Sequence, residues 1–558
     1  MKHKYLNGWG RLLAVVFGSL ALAVAAGWWG MAPLAAETEE VDAFPFLAGF
    51  PRTDPSNIEF AGTAVADIDS DGDLEIVTAD GRGKVWAFHH TGNVVSGYPL
   101  TTKSPNCATS ERINGPVAVG NISGDTRPEI AAGTRGCGSA SGQRGRVYVW
   151  NSQGSTLTGW PKDIAWNSAE PSEAAEVYSV ALANVWNGGI LEVIAGTNNS
   201  APSFGSAENI DTSNLYVWRA DGSAIGSYPT WYKTAGIWGA VATADIDGDG
   251  GADTIVGRDH VYVAVYNKNG QPLPNFPLHT PTEHTALGNA WGSYQYGEFT
   301  RTAPAIGDLD GDGMLEMVFH GKVRSPGNGH NVTNNGLWVV EPNGTRMAGW
   351  ENAPLVGDSL YDSFGPMFSV SLGDLGRNGS VEIAVPYADG YLRVYRPDGS
   401  LYWSYNYAQG KLLFASEVVI GDVSGDGLPD VVFGTYAPTT ADQASIRLIA
   451  LHGTTGQMIS GFPLTLPNES GDKRGLRSAP TLTDLDHDCD VEIVGASWSG
   501  VIYVWDLDAP YYWDQMLWPT ARHDNQRTGS MTGPRVASYD CNPSRPFDNH
   551  VYLPIVGQ

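Results

Sequence analysis

The chain has 558 residues and carries 60 acidic against 33 basic side chains, a formal charge of −27. A polyanion of this kind is repelled by nucleic acid and by anionic membrane surfaces, which excludes both as main partners. Its 69 glycines and 34 prolines, beside an ordinary apolar content, suit a turn-rich all-β protein.

At the N-terminus, Lys2, Lys4 and Arg11 flank an apolar run from Leu12 to Ala26, and Leu34-Ala35-Ala36 precedes Glu37. This is the pattern of a secretory signal cut after Ala36. Gly27-Trp28-Trp29-Gly30-Met31 lengthens the apolar stretch, so an uncleaved N-terminal anchor over 1–36 is the alternative. Both readings place the rest of the chain outside the cytoplasm, secreted or at the cell surface, with no further membrane insertion. Residues 37–530 form one repetitive domain and 531–558 a polar tail.

An acidic phrase recurs through that domain, starting at Asp67, Asn121, Asn184, Asp245, Asp308, Asp374, Asp422 and Asp484. A period of tens of residues signals a repeat architecture with one structural unit per copy. Each unit reads as a small apolar strand, the acidic loop and a β-branched strand such as Glu75-Ile76-Val77-Thr78. A third strand such as Arg146-Val147-Tyr148-Val149-Trp150 follows, then a fourth closing in Gly97-Tyr98-Pro99 or Gly461-Phe462-Pro463. Four short strands per unit describe a β-propeller blade, so eight four-stranded blades are expected, with seven blades and a stray repeat as the alternative. Gly49-Phe50-Pro51 repeats the fourth-strand ending ahead of the first unit and is expected to pair with the last blade, closing the ring.

Within a copy, oxygens at positions 1, 3, 5 and 9 plus the position-7 backbone carbonyl give several hard ligands on one tight loop. Five copies are complete: Asp67, Asp69, Asp71, Asp73 and Glu75; Asp245, Asp247, Asp249, Gly251 and Asp253; Asp308, Asp310, Asp312, Met314 and Glu316; Asp422, Ser424, Asp426, Leu428 and Asp430; Asp484, Asp486, Asp488, Asp490 and Glu492. All-oxygen sets without imidazole or thiolate favour Ca²⁺ over zinc or copper, and magnesium prefers to keep its water. About five structural calcium sites follow. The copies at Asn121 (with Ser123, Asp125 and Glu129) and Asp374 (with Gly376, Asn378 and Glu382) are weaker ligand sets, and the one at Asn184 has Trp186 and Gly188 where ligands belong.

Export favours disulfides among the four cysteines. Strand order puts Cys107 and Cys137 in loops on the face opposite the acidic loops, around the second unit. Cys489 lies in the last acidic loop and Cys541 in the tail, so the expected pairs are Cys107–Cys137 and Cys489–Cys541.

The opposite face also carries the irregular inserts, among them Gly321 to Gly336, and a long connection from Thr280 to Thr302 with Trp291, Tyr294, Tyr296 and Phe299. With Trp238 and Tyr361, these rings are candidates for stacking on a sugar or anchoring a protein, against the plainer reading that they cap the propeller. Trp86, Trp150, Trp218 and Trp505 recur at equivalent strand positions and read as packing. Beyond the last unit, Trp518 to Gly529 contains His523-Asp524 without a nucleophile beside it, which points to structural docking of that segment.

The acidic phrase set between two strands and repeated along about residues 60–505 resembles the FG-GAP or VCBS repeat of integrin alpha-subunit heads and secreted bacterial proteins. That resemblance implies a calcium-binding β-propeller used for adhesion or ligand binding. The flanks here, Gly62-Thr63-Ala64-Val65-Ala66 and Ala303-Pro304-Ala305-Ile306-Gly307, depart from the FG and GAP signatures and stand nearer the bacterial repeats. The function expected is a non-catalytic, monomeric module binding an extracellular protein or glycan. Two alternatives are a lyase resembling the rhamnogalacturonan type, with Arg301, Lys473, Arg474 and Arg477 as candidate cations, and a purely structural envelope component.

Overall fold

A computed structural model describes residues 44–60, 62–103, 109–136, 144–164, 176–198, 215–230, 236–258, 262–276, 278–279, 296–299, 301–325, 331–351, 355–357, 368–534 and 541. The segment 1–36, Cys107, Cys137, Trp291, Tyr294, Tyr361 and the tail apart from 531–534 and Cys541 lie outside the described residues, as does the side chain of Tyr296.

The protein is an all-β propeller. Every acidic phrase joins two antiparallel strands, and the register is the same each time. The residue before position 1 faces position 9, as in Ala66 with Glu75, Gly120 with Glu129, Ala183 with Glu192 and Ala244 with Asp253. The later copies repeat it: Gly307 with Glu316, Gly373 with Glu382, Gly421 with Asp430 and Thr483 with Glu492. The first unit is a plain meander of Thr63–Ala66, Glu75–Ala79, Lys84–His89 and Leu100–Thr101. Its first two strands are buried along their whole length, which is why they read as continuous small and β-branched runs. The first strands of successive units are neighbours round a closed cycle, and Thr481–Thr483 returns to Thr63–Ala66.

Ring closure follows the expectation for Gly49-Phe50-Pro51. Leu47 N–H donates to Val504 O at 2.9 Å, while Arg52 and Ile502 exchange two backbone bonds of 2.8 Å. The start of the domain is thereby the outer strand of the last sheet, covering what would be an open edge. Gly49 sits at φ 96°, and a Cβ there would lie 2.1 Å from Thr91 O, so only glycine permits this contact with the first unit.

Two expectations need correction. Gly321 to Gly336 is an insert only in length, because Glu316–Ser325 and Asn331–Val340 pair as one long hairpin. Phe299 is not a surface ring. It is 1% exposed and packs edge-on against Trp338 at 4.9 Å and Phe319 at 5.9 Å. An aromatic beside a long connection is as well placed to plug the sheet below as to face solvent. Trp86, Trp150, Trp218 and Trp505 are buried, each stacked on an aromatic two residues before or after it in the same strand.

The segment Trp518–Met531 runs among the first strands. Trp518 and Ile420 exchange backbone bonds of 2.9 and 3.0 Å, and Leu482 N–H donates to Pro519 O. Val65 N–H donates to Asn525 Oδ1. Val119, Leu182, Thr243 and Ile306 then donate to the carbonyls of Asn525, Gln526, Thr528 and Gly529 at 2.7 to 3.0 Å. One short polar segment thus satisfies seven first strands in ring order, and residues 518–530 are buried throughout.

Candidate metal centres

In all eight loops the position-9 carboxylate is a brace. One of its oxygens accepts the N–H of position 2: Ile68 to Glu75, Ile122 to Glu129, Val185 to Glu192 and Ile246 to Asp253. Leu309 to Glu316, Leu375 to Glu382, Val423 to Asp430 and Leu485 to Glu492 complete the set. Position 1 turns its oxygens inward to the N–H groups of positions 4 to 6, as in Ser70 and Gly72 to Asp67 or Gly311 and Gly313 to Asp308. These bonds explain why an acid persists at position 9 even in the three incomplete copies.

The second oxygen of position 9 separates the loops. Asp253 Oδ1, Glu316 Oε1, Asp430 Oδ1 and Glu492 Oε1 are buried without a hydrogen-bond partner among the described residues, on side chains at most 1% exposed, with His452 Nδ1 3.5 Å from Asp430 Oδ1. All four belong to complete copies. In the fifth, Glu75 Oε1 meets His89 Nδ1 at 3.1 Å. Oxygens of Asp67, Asp69 and Glu75 lie within 4.8 Å of one another, as do those of Asp245, Asp247 and Asp253, and of Asp308, Asp310 and Glu316. Each cluster is close enough for one cation to touch all three carboxylates.

Electrostatics point the same way. Burial pushes Glu75 up to about 8, with the charges of Asp67, Asp69 and Asp71 adding to it. Burial likewise raises Asp253, Glu316 and Asp430 to about 7 and Glu492 to about 10, again with neighbouring loop carboxylates contributing. The third-strand residue opposite position 9 varies tellingly. In the copies starting at Asn184 and Asp374 the third-strand residue just beyond the paired Trp218 and Tyr395 is Arg219 and Arg396, and the Arg219 charge acts on Glu192. In two complete copies it is Glu341 or Asp506, one more carboxylate facing an acidic loop. Lys268 Nζ contacts Asp249 at 2.8 Å, so the Asp245 loop carries a competing cation. In the Asn121 copy, the Asn121 amide donates to Asp125 O within its own loop.

Cys489 and Cys541 form the expected disulfide, with Cα atoms 5.5 Å apart. It ties the tail to position 6 of the last loop, where Cys489 holds φ 74° in place of the usual glycine.

On the opposite face, Trp238 is half-buried against Tyr178 at 5.5 Å. Arg477 is 8% exposed, its guanidinium 4.0 Å from the Phe60 ring and 4.4 Å from Trp498, so packing employs it. Lys473 lies 5.0 Å over Trp498, and Arg474 Nε donates to Gly471 O. His523 and Asp524 meet at 3.0 Å but are buried, and Asp524 also takes the Thr528 hydroxyl. Sequence reasoning missed Glu417 altogether. It accepts the Arg522 backbone N–H at 2.7 Å and the Trp518 indole N–H at 3.4 Å, and burial raises its carboxyl.

No family model and no curated protein matches the chain. Among solved structures it is similar to Saccharomyces cerevisiae Sqt1, at 10% identity and TM-score 0.48 over 83% of this chain and 100% of that one. It is also similar to the Dos1 propeller, at 8% identity and TM-score 0.46 over 84% and 96%. The rhamnogalacturonan lyase YesW follows at 14% identity and TM-score 0.44 over 88% and 98%.

Proposed function

We propose that the chain is an eight-bladed propeller of the FG-GAP/VCBS type, secreted or held at the cell surface, in which about five calcium ions rigidify the acidic loops. The opposite face then serves as a non-catalytic platform for an extracellular protein or glycan. The observation that carries the metal half is the set of buried position-9 oxygens without a hydrogen-bond partner among the described residues, clearest on Asp253 and Glu492. Such an atom costs roughly 1–3 kcal/mol or more when left unmet, and a cation held by the rest of the loop meets it. Calcium supplies charge neutralisation there. The chain's own residues do the shaping, since position 9 braces the loop and position 1 gathers its backbone.

The platform half rests on long connections raised from a rigid ring, with Trp238 half-buried beside Tyr178. The lyase alternative draws no support from Arg477, which is stacked between rings. Thermal unfolding of the full chain in excess calcium and then in chelator tests the metal half. A higher melting temperature in calcium is expected, because a ligand bound only to the native state stabilises it, by about 2.7 kcal/mol per site at a hundredfold excess over Kd. An unchanged melting temperature overturns it. A glycan and protein binding screen in calcium tests the platform half, and no binding at all favours a structural role.

A further inference from the structure

The seam where the ring closes brings together side chains of a different chemistry. The first strands of the first and last units are neighbours, so the loops starting at Asp67 and Asp484 lie side by side. Asp73, at position 7, offers its own loop only a backbone carbonyl, and its carboxylate turns across the seam. Asp73 Oδ2 stands 3.5 Å from His90 Nδ1, and Asp73 Oδ1 stands 4.0 Å from His487 Nδ1. We propose that His90, His487 and Asp73 bind one zinc-type divalent ion across this seam, separate from the calcium loops.

Three observations carry it. First, both separations exceed those of N–H···O hydrogen bonds, 2.7–3.2 Å, with His90 facing Oδ2 and His487 facing Oδ1 of the one carboxylate. A small inward movement of two imidazoles closes the set, and water fills the fourth position. Second, His90 Nδ1 is buried without a hydrogen-bond partner among the described residues, although the ring edge is open enough for an ion to enter. Third, the ligand types are wrong for calcium and right for a borderline ion, since imidazole nitrogen with one carboxylate suits zinc, nickel or copper. The site is also singular in the repeat. At position 4 His487 replaces the Ser70, Gly248, Gly311 and Gly425 of its counterparts, while the acid at position 7 is shared with Asp490 and absent from Gly251, Met314 and Leu428. That imidazole departs from the pattern at the one junction where the two ends of the domain are joined.

The test uses the untagged full chain saturated with calcium and titrated with Co²⁺, a zinc surrogate whose tetrahedral complexes absorb visibly. One equivalent giving that absorption, displaced by one equivalent of Zn²⁺, is expected. His90→Ala is expected to weaken zinc binding by about tenfold or more, with calcium-dependent melting unchanged. Asp73→Asn is a second, half-exposed variant that keeps the measurement usable if the first fails to fold. No uptake of cobalt or zinc, or uptake that neither variant weakens, overturns the proposal. Repeating the titration in calcium-free buffer separates it from the calcium reading, because the seam site is expected to fill whether or not the acidic loops do.

Discussion

The Arg527 guanidinium donates to the Thr63 carbonyl at 2.9 Å, across 464 residues of chain. The same group reaches Val117 O at 2.8 Å and Ala521 O at 2.9 Å, so one cation near the C-terminal end of the domain holds the first strands of two units near its start. Burial pulls it down to about 10, which leaves it charged at neutral pH. The ring is thus closed twice, by Leu47 and Arg52 on the outer edge of the last sheet and by Trp518–Met531 among the first strands.

Arg527→Met removes those donors and strands several buried carbonyls. A loss of roughly 3 kcal/mol or more is expected, read from chemical denaturation in calcium. A loss below about 1 kcal/mol would mean water replaces the guanidinium and the segment is not a keystone.

Glu316→Gln separates bracing from metal binding. The amide oxygen still accepts Leu309 N–H, and Glu341 stands close enough to receive the new amide hydrogens. In chelator the variant is expected to melt at or above the parent temperature, since a buried charge has been removed. In calcium it is expected to melt lower, having lost one site. The same direction of change in both buffers would sink the assignment of this loop as a metal site.

Much of this architecture was legible because the acidic phrase repeats with its flanking strands, and two carboxylates spaced along a tight turn can be recognised without coordinates. The double role of position 9 was not legible. Glu129, Glu192 and Glu382 look like relics of ligand sets until their bonds to Ile122, Val185 and Leu375 appear. Arg219 and Arg396 opposite incomplete loops needed strand register to be noticed. Docking of Trp518 to Gly529 is expected from the sequence, but its reach was hidden, because a polar sequence becomes interior only where first-strand backbone groups await partners. Phe299 failed for the converse reason, since an apolar ring in a long connection says nothing about which way the connection turns.

The tail clamp offers a third prediction. Cys489–Cys541 closes 52 residues of chain, worth about 2–4 kcal/mol through the unfolded state. Cys489 also occupies a left-handed conformation that costs a non-glycine residue about 1–2 kcal/mol. Cys489→Gly is therefore expected to destabilise less than Cys489→Ala, although both lose the bond. Equal melting temperatures for the two would show that the loop backbone relaxes once the disulfide is gone.

The last prediction concerns pH, and its sign follows from the raised carboxyls. Without metal, Glu75 stands at about 8, Asp253, Glu316 and Asp430 at about 7 and Glu492 at about 10, against ordinary values of 4.5 for Glu and 3.8 for Asp. A group raised on folding binds more protons in the native state than in the unfolded one across that interval. Stability is therefore fully present below about pH 4 as far as these groups are concerned, and it is lost as the pH climbs to 7 to 8 for the first four and to about 10 for Glu492. Chelated protein is expected to melt progressively lower between pH 5 and pH 8, which reverses the common pattern for paired carboxylates. Calcium binds the deprotonated loops, so the gap between calcium and chelator should widen over the same range. Melting curves taken across that range in both buffers measure the gap directly. A gap independent of pH would mean that the loops take up calcium without releasing protons, and that the buried position-9 carboxyls are already ionised in the metal-free ring.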